Sequence, residues 1–427
     1  MAGYFGPKLP SSGRPVDYTG NLVDVVRMRT DRMAKTKQYL KKHGIAAALL
    51  MRPENIRYAN GTYMMNFIDR IHYTLAFAEH EPIRYCTDGP ESNKIPSPWL
   101  TEIRQSIQWA QQSCGPDATA RDAKLFAAEI KRELKERGLD KEKLGIDEID
   151  EPGRQALVDA GLELVNVMPA MLEARAVKTA DEIACMHMVA SLCDSAHWDM
   201  YKALQPGKKD SDIRAIGYES LIRNGAEEIA DVLVTSGGTI GGVSMDRDRL
   251  IQPGDMVTVD IVRATYLGYC SCYYRNYLVG LKPTQAQLDI QKKSYERVYS
   301  VIDGIKPGVS TGDLAEKWST AAEKGLSSDR TLWCDDLMHG MGLWLYEYPV
   351  CNRIWSIEHP QILEKGMCMA VEAMEYDPLI GRTKLEEMIV VTENGCEVLS
   401  RIPAQDIMVA NPLTLYSTFW TAASPPR

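Results

Sequence analysis

Two stretches near the C-terminal end, GMCMAVEAMEYD and TKLEEMIVV, constrain the fold of this chain more than any other part of it. Each reads as an apolar strand, and each carries a carboxylate, Glu372 or Glu386, in its interior. A carboxylate inside a half-buried strand is costly unless it is paired, protonated or bound to a metal. His339, within LMHGMGLW, poses the same problem. Taken singly, each has an ordinary reading, a Glu on an edge strand or a His bonded at a turn. Taken together, three such residues on successive strands call for a sheet that brings them to one place.

The rest of the chain supplies helices and strands in alternation. LVDVVRMRTDRMAKTKQYLKKHG has helical periodicity that ends at Gly44, IAAALLM reads as a buried strand, and PENIRYANG as a loop and strand edge. ARDAKLFAAEIKRELKERGL is a second amphipathic helix, KLGID a strand, and EPGRQALVDAG a helix with Pro just inside its start. Near Arg175 a long helix begins, with Thr179 and Glu182 in capping-box spacing. Helices at DSDIRAIGYESLIRNG and QLDIQKKSYERVYSVIDGI flank strands at ADVLVTSGG and DMVTVDIV and the hairpin DIVRATYLGYCSCYYRNYLVG. The expected organisation is an arm over residues 1–21, a small α/β domain over 22–174, a larger α+β domain over 175–412 and a tail over 413–427.

Composition excludes several classes of function. The 427 residues carry a net charge of −9, without a dense run of Lys and Arg, which argues against nucleic acid as a partner. No stretch approaches the length of a membrane span, and the start lacks the signature of a signal peptide. The ten cysteines form no CxxC pair and no compact framework, as expected of reduced thiols in a soluble cytoplasmic protein.

The order of these motifs resembles the pita-bread family that includes methionine aminopeptidase, Xaa-Pro dipeptidases, creatinase and the dimethylsulfoniopropionate lyase. The resemblance covers nearly the whole chain. HGIAAALLMRPENIRYANGT and ARAVKTADEI are similar to the creatinase-type N-terminal domain, and NIRYA, LMHGMGL, VEAM and KLEEM have close counterparts in the lyase branch. The resemblance implies a two-domain α/β fold, a creatinase-type domain followed by a pita-bread catalytic domain, a homodimer, and a small-molecule substrate. It also implies two divalent metals held by Asp, Asp, His, Glu and Glu in chain order, and His339, Glu372 and Glu386 match the last three.

The departures lie in the hairpin. The family's second Asp stands four residues after the hairpin glycine, which here is Cys272, and its first stands seven before it, where Ile261 displaces Asp260 by one step. Side chains alternate along a strand, so such an offset turns Asp260 to the wrong face unless a bulge corrects it. Asp260, Cys272, His339, Glu372 and Glu386 together could hold a single zinc or iron. Otherwise the expectation is no catalytic metal and a cationic group in its place. In the peptidases' H-E-x-P stretch a second histidine is replaced by Tyr346. The leading expectation is therefore a creatinase-like hydrolase of a C–N bond in a small cationic or zwitterionic molecule, with His339, Glu372, Glu386 and Tyr346 catalytic. Tyr273, Tyr274, Trp344 and Ser244 are expected at the substrate, aromatic faces suiting an onium or guanidinium group. The alternatives are a lyase acting on a sulfonium or betaine, a metal-dependent Xaa-Pro dipeptidase, and a binding protein that has kept only the fold.

Overall fold

Asp24 starts the first helix, its side chain accepting a hydrogen bond from the backbone N–H of Arg27, and α1 (Val25–Lys42) buries Met28, Met33 and Leu40. The computed structural model describes residues 23–61, 71–87, 99–237, 249–332, 335–377 and 380–413. The chain divides into two units between Asp181 and Glu182.

In the first unit β1 (Ala47–Leu50) is buried along its whole length, as its unbroken apolar run requires. PENIRYAN is not a loop and strand edge but α2 (Pro53–Asn60). Proline is tolerated in a helix's first turn, where its missing N–H would find no partner anyway. Gly61 ends the helix in the left-handed conformation at φ 75°. With β2 (Tyr73–Phe77), β3 (Ile83–Cys86), β4 (Glu102–Gln105), β5 (Leu144–Ile146) and β6 (Leu164–Asn166), β1 forms a mixed six-stranded sheet in the order β4-β3-β2-β1-β5-β6. Its core gathers Tyr73, Tyr85 and Trp109 with Phe126, Ile130 and Leu134 of α3 (Gln111–Glu136). The helices α4 (Glu151–Asp159) and α5 (Met168–Ala176) complete the unit.

The second unit carries α6 (Ala180–Ala203), α7 (Asp210–Asn224) and α8 (Gln285–Ile302), the last closed by a capping box between Thr284 and Gln287. One sheet contains β7 (Ile229–Ser236), β8 (Met256–Tyr266), β9 (Tyr269–Cys270), β10 (Tyr274–Val279) and β16 (Met408–Ala410). The other contains β11 (Asp336–Gly340), β12 (Glu347–Cys351), β13 (Cys368–Asp377), β14 (Gly381–Val391) and β15 (Cys396–Val398), in the order β12-β11-β13-β14-β15.

Side chains tie the two sheets together where β10 meets β14. The guanidinium of Arg275 donates to the carbonyls of Tyr274, Glu386 and Ile402, and its Nη2 to Glu387 Oε2 at 2.7 Å. Asn276 Nδ2 donates to the carbonyl of Lys384 at 3.1 Å. Arg275 and Glu387 are both buried, so each satisfies a charge the other would otherwise leave stranded. This clamp fixes the register of β10 against β14, and with it the placement of every side chain on the opposite face.

Candidate active site

The register of β13 against β14 sets Glu372 directly opposite Glu386. On the other flank β11 pairs with β13, bringing His339 into the same layer. From the first sheet, β8 and β10 pair Asp260 with Tyr274.

The one-step offset at Asp260 is resolved by a bulge. Tyr274 pairs with Asp260 but Cys270 with Thr265, so β8 spends one more residue over this stretch than the returning strand. Arg263 takes up the irregularity at φ 50°, an uncommon conformation for a residue with a side chain. The extra residue carries Asp260 to the site, where it is buried beside Glu386, Glu372 and Lys384.

Five residues named from the sequence therefore converge. The donor atoms of Cys272, His339 and Glu386 lie within 4.8 Å of one another. His339 Nε2 is 3.6 Å from Glu386 Oε1, too long for a hydrogen bond. Its Nδ1 stands 3.2 Å from the carbonyl of Gly340. A carbonyl can only accept, so Nδ1 carries the proton and Nε2 turns its lone pair into the site.

Lys384, which the sequence reading passed over, lies at the centre. Its Nζ is 2.7 Å from Glu372 Oε2 and 4.5 Å from the centre of the Tyr274 ring. Strand alternation could have found it, because Lys384 stands two residues before Glu386 and so shares its face. Burial alone would lower the pKa of this ammonium, but Glu372 and Glu386 raise it, so it stays charged. The tyrosines and facing glutamates already hold a cation, and it belongs to the chain.

The remaining electrostatics follow from burial. Burial, with Lys384 and Glu386 pulling in opposite directions, leaves the Glu372 carboxyl raised to about 7. Burial and then Glu386 hold the Asp260 carboxyl well above the usual range, against a hydrogen bond from the Tyr274 hydroxyl. Burial likewise keeps the Cys272 thiol protonated, with Glu386 and Asp260 adding to the shift, which makes it a poor nucleophile unless a metal deprotonates it. Asp260 Oδ1, His339 Nε2, Glu372 Oε1 and both oxygens of Glu386 are buried without a hydrogen-bond partner among the described residues. A buried carboxylate left so is too expensive to be structural, and a ligand that supplies cationic or donor groups is the ordinary resolution.

The other sequence-named residues divide. Tyr346 packs against His339 with ring centres 4.3 Å apart and planes tilted by 41°, and it is 42% exposed, so it stands between the cluster and solvent. Tyr274 belongs to the site. Tyr273, expected at the substrate, does not: alternation turns it to the other face, where its hydroxyl donates to Asp194 Oδ1 at 2.8 Å and accepts from the N–H of Ile402. Trp344 lies under the guanidinium of Arg263, 4.7 Å away. Ser244 lies outside the described residues.

Residues 184–393 match the model of metallopeptidase family M24, and residues 32–177 that of the creatinase/prolidase N-terminal domain. A curated relative, the uncharacterized peptidase YqhT of Bacillus subtilis, is 31% identical over 254 residues, 58% of this chain and 68% of that protein. The chain belongs to metallopeptidase family M24. It is an enzyme of that pita-bread family, with the two-domain architecture its sequence implies. The dimethylsulfoniopropionate lyase DddP of Roseobacter denitrificans is 26% identical over 408 residues, which covers 90% of this chain and 88% of that one. The Xaa-Pro dipeptidase of Pyrococcus furiosus is 27% identical over 56% of this chain and 67% of its own. Among solved structures, the Xaa-Pro dipeptidase from Bacillus anthracis superposes with a TM-score of 0.70 at 22% identity, covering 89% of this chain and 99% of that one, a likeness of fold.

Members of this family usually bind divalent metals. The unpartnered atoms here fit one ion of zinc or iron type, with Cys272, His339 and Glu386 as a mixed thiolate, imidazole and carboxylate set. Among the described residues, no helix is long and apolar enough to cross a membrane.

Proposed function

We infer that this chain acts on a small zwitterionic carboxylic acid and releases an onium group from it by elimination. The observation that carries this reading is the contact of Lys384 Nζ with Glu372 Oε2 at 2.7 Å, within a cluster of unpartnered acidic atoms. A carboxyl raised to about 7 is matched to proton abstraction near neutral pH. An ammonium has three donors, and Lys384 gives one to Glu372. Another can meet the substrate's carboxylate and stabilise the charge that develops there when the adjacent carbon loses its proton.

Glu372 takes that proton, the electron pair forms the carbon–carbon double bond, and the bond to the onium leaving group breaks, releasing a neutral sulfide or amine. Asp260 and Glu386 offer carboxyl oxygens to the onium group, and Tyr274 an aromatic face. Tyr346 controls the approach to His339. A divalent ion held by Cys272, His339 and Glu386 would supply Lewis-acid polarisation at the same site. The similarity to DddP, named a dimethylsulfoniopropionate lyase, extends over most of both chains and supports a zwitterionic substrate.

Hydrolysis of a C–N bond is the second reading, and the approach of His339 Nε2 to Glu386 Oε1 favours it, as an imidazole beside a carboxylate is suited to acid–base work on water. A panel of sulfonium and quaternary-ammonium carboxylates followed by NMR separates the two. Elimination gives an unsaturated acid and a neutral leaving group. Hydrolysis gives products without an alkene, and no conversion of any zwitterion contradicts both.

A further inference from the structure

We propose that Lys384 takes the place of the second metal ion, so that the site accepts one divalent cation, and that this ion is bound through the thiolate of Cys272. Three observations meet in this assignment. The ammonium of Lys384 is buried on Glu372 Oε2, so this carboxylate of the cluster already has its cation. It also rests on the Tyr274 ring, which fixes its position from the side of the first sheet. Cys272 stands where a second aspartate would be needed, and a thiolate is a poor ligand for hard ions such as magnesium or manganese.

The remaining donors are sufficient for one softer ion. Cys272 Sγ, the inward nitrogen of His339 and a Glu386 oxygen lie within 4.8 Å of one another, so all three could hold one zinc-type ion. The hydrogen bond from His339 Nδ1 to the carbonyl of Gly340 already selects the tautomer a metal requires. Binding releases the proton of the Cys272 thiol, and the charge of the ion takes over the role of neutralising Glu386. A second divalent ion would have to share Glu372 with an ammonium already in contact with it, and like charges at such separations repel strongly where water is excluded. The assignment is independent of the reaction proposed above, because a chain that converted no zwitterion would still take up one ion.

Cobalt(II) is the probe. The full chain is stripped with a chelator and titrated with cobalt, with stoichiometry read by equilibrium dialysis and thiolate ligation by the sulfur-to-cobalt charge-transfer absorption. The expected result is one cobalt per chain with the charge-transfer band. Cys272→Ser should lose the band and bind at least about ten-fold more weakly, as the loss of one ligand dictates. Cys272→Asp, which restores a carboxylate but keeps Lys384, should stay at one ion. Lys384→Met combined with Cys272→Asp should take up two. Two ions in the wild type or in Cys272→Asp overturn the proposal, as does a wild type that binds no cobalt or binds it without the band. A folded double variant that stays at one ion overturns the role given to Lys384. If that variant does not fold, Cys272→Asp alone still decides the count.

Discussion

Glu386 and Glu387 are neighbours on one strand and live in opposite worlds. Glu387 accepts from Arg275 at 2.7 Å, from the Tyr299 hydroxyl at 3.1 Å and from the hydroxyl of Ser400, so its charge is fully matched. Glu386 is equally buried, and neither of its oxygens has a hydrogen-bond partner among the described residues. The same contrast separates Tyr273, bonded to Asp194 and Ile402, from Tyr274, which faces Asp260 and Lys384. Strand alternation thus sorts two adjacent acids into a structural face that is satisfied internally and a working face that is left for a ligand to satisfy.

The largest effect expected from breaking this contrast falls on turnover. Glu372→Gln should lower kcat by roughly 10²- to 10⁴-fold in the folded variant, the usual worth of a positioned general base. Next in size is Glu387→Ala, which strands Arg275 without its carboxylate and should cost about 3–5 kcal/mol in denaturant unfolding. Retention of wild-type stability in that variant would show that the Arg275–Glu387 pair does not hold the two sheets together.

A subtler effect is a shift in pH dependence. If the ionised Glu372 is the base, kcat/KM rises with pH through about 7 and falls below it, because the protonated carboxyl cannot accept a proton. Lys384 lowers the pKa of Glu372, so Lys384→Met should move the rising limb to higher pH. A limb that stays in place would separate the two residues functionally. The smallest effect belongs to Tyr273→Phe, which removes one buried hydroxyl and should cost on the order of 1 kcal/mol of stability without changing turnover.

Much of this arrangement is legible in the sequence. His339, Glu372 and Glu386 declare themselves because each interrupts an apolar strand, and the motif order points to the family and its two domains. What is not legible depends on register. The offset of Asp260 looks like a misdirected ligand until pairing shows the extra residue of β8, absorbed at Arg263. Tyr273 and Tyr274 are equivalent as letters, and only the clamp at Arg275 decides which faces the site. Lys384 carried a signal in its spacing from Glu386, but a lysine two residues from a glutamate is ordinary on a strand. The pairing with Glu372 comes from the neighbouring strand, in a register no local pattern states. PENIRYAN fails for a different reason, since a short segment opening on proline is compatible with either an extended edge or a helix start.

The central claim is that one face of β14 is built for stability and the other for a ligand, and a paired melting experiment on the apo protein tests it most directly. Glu387→Gln should lower Tm because Arg275 loses its charge partner, whereas Glu386→Gln should leave Tm unchanged or raise it, since a neutral amide relieves a buried carboxylate with no partner. Equal destabilisation by both substitutions would contradict the account.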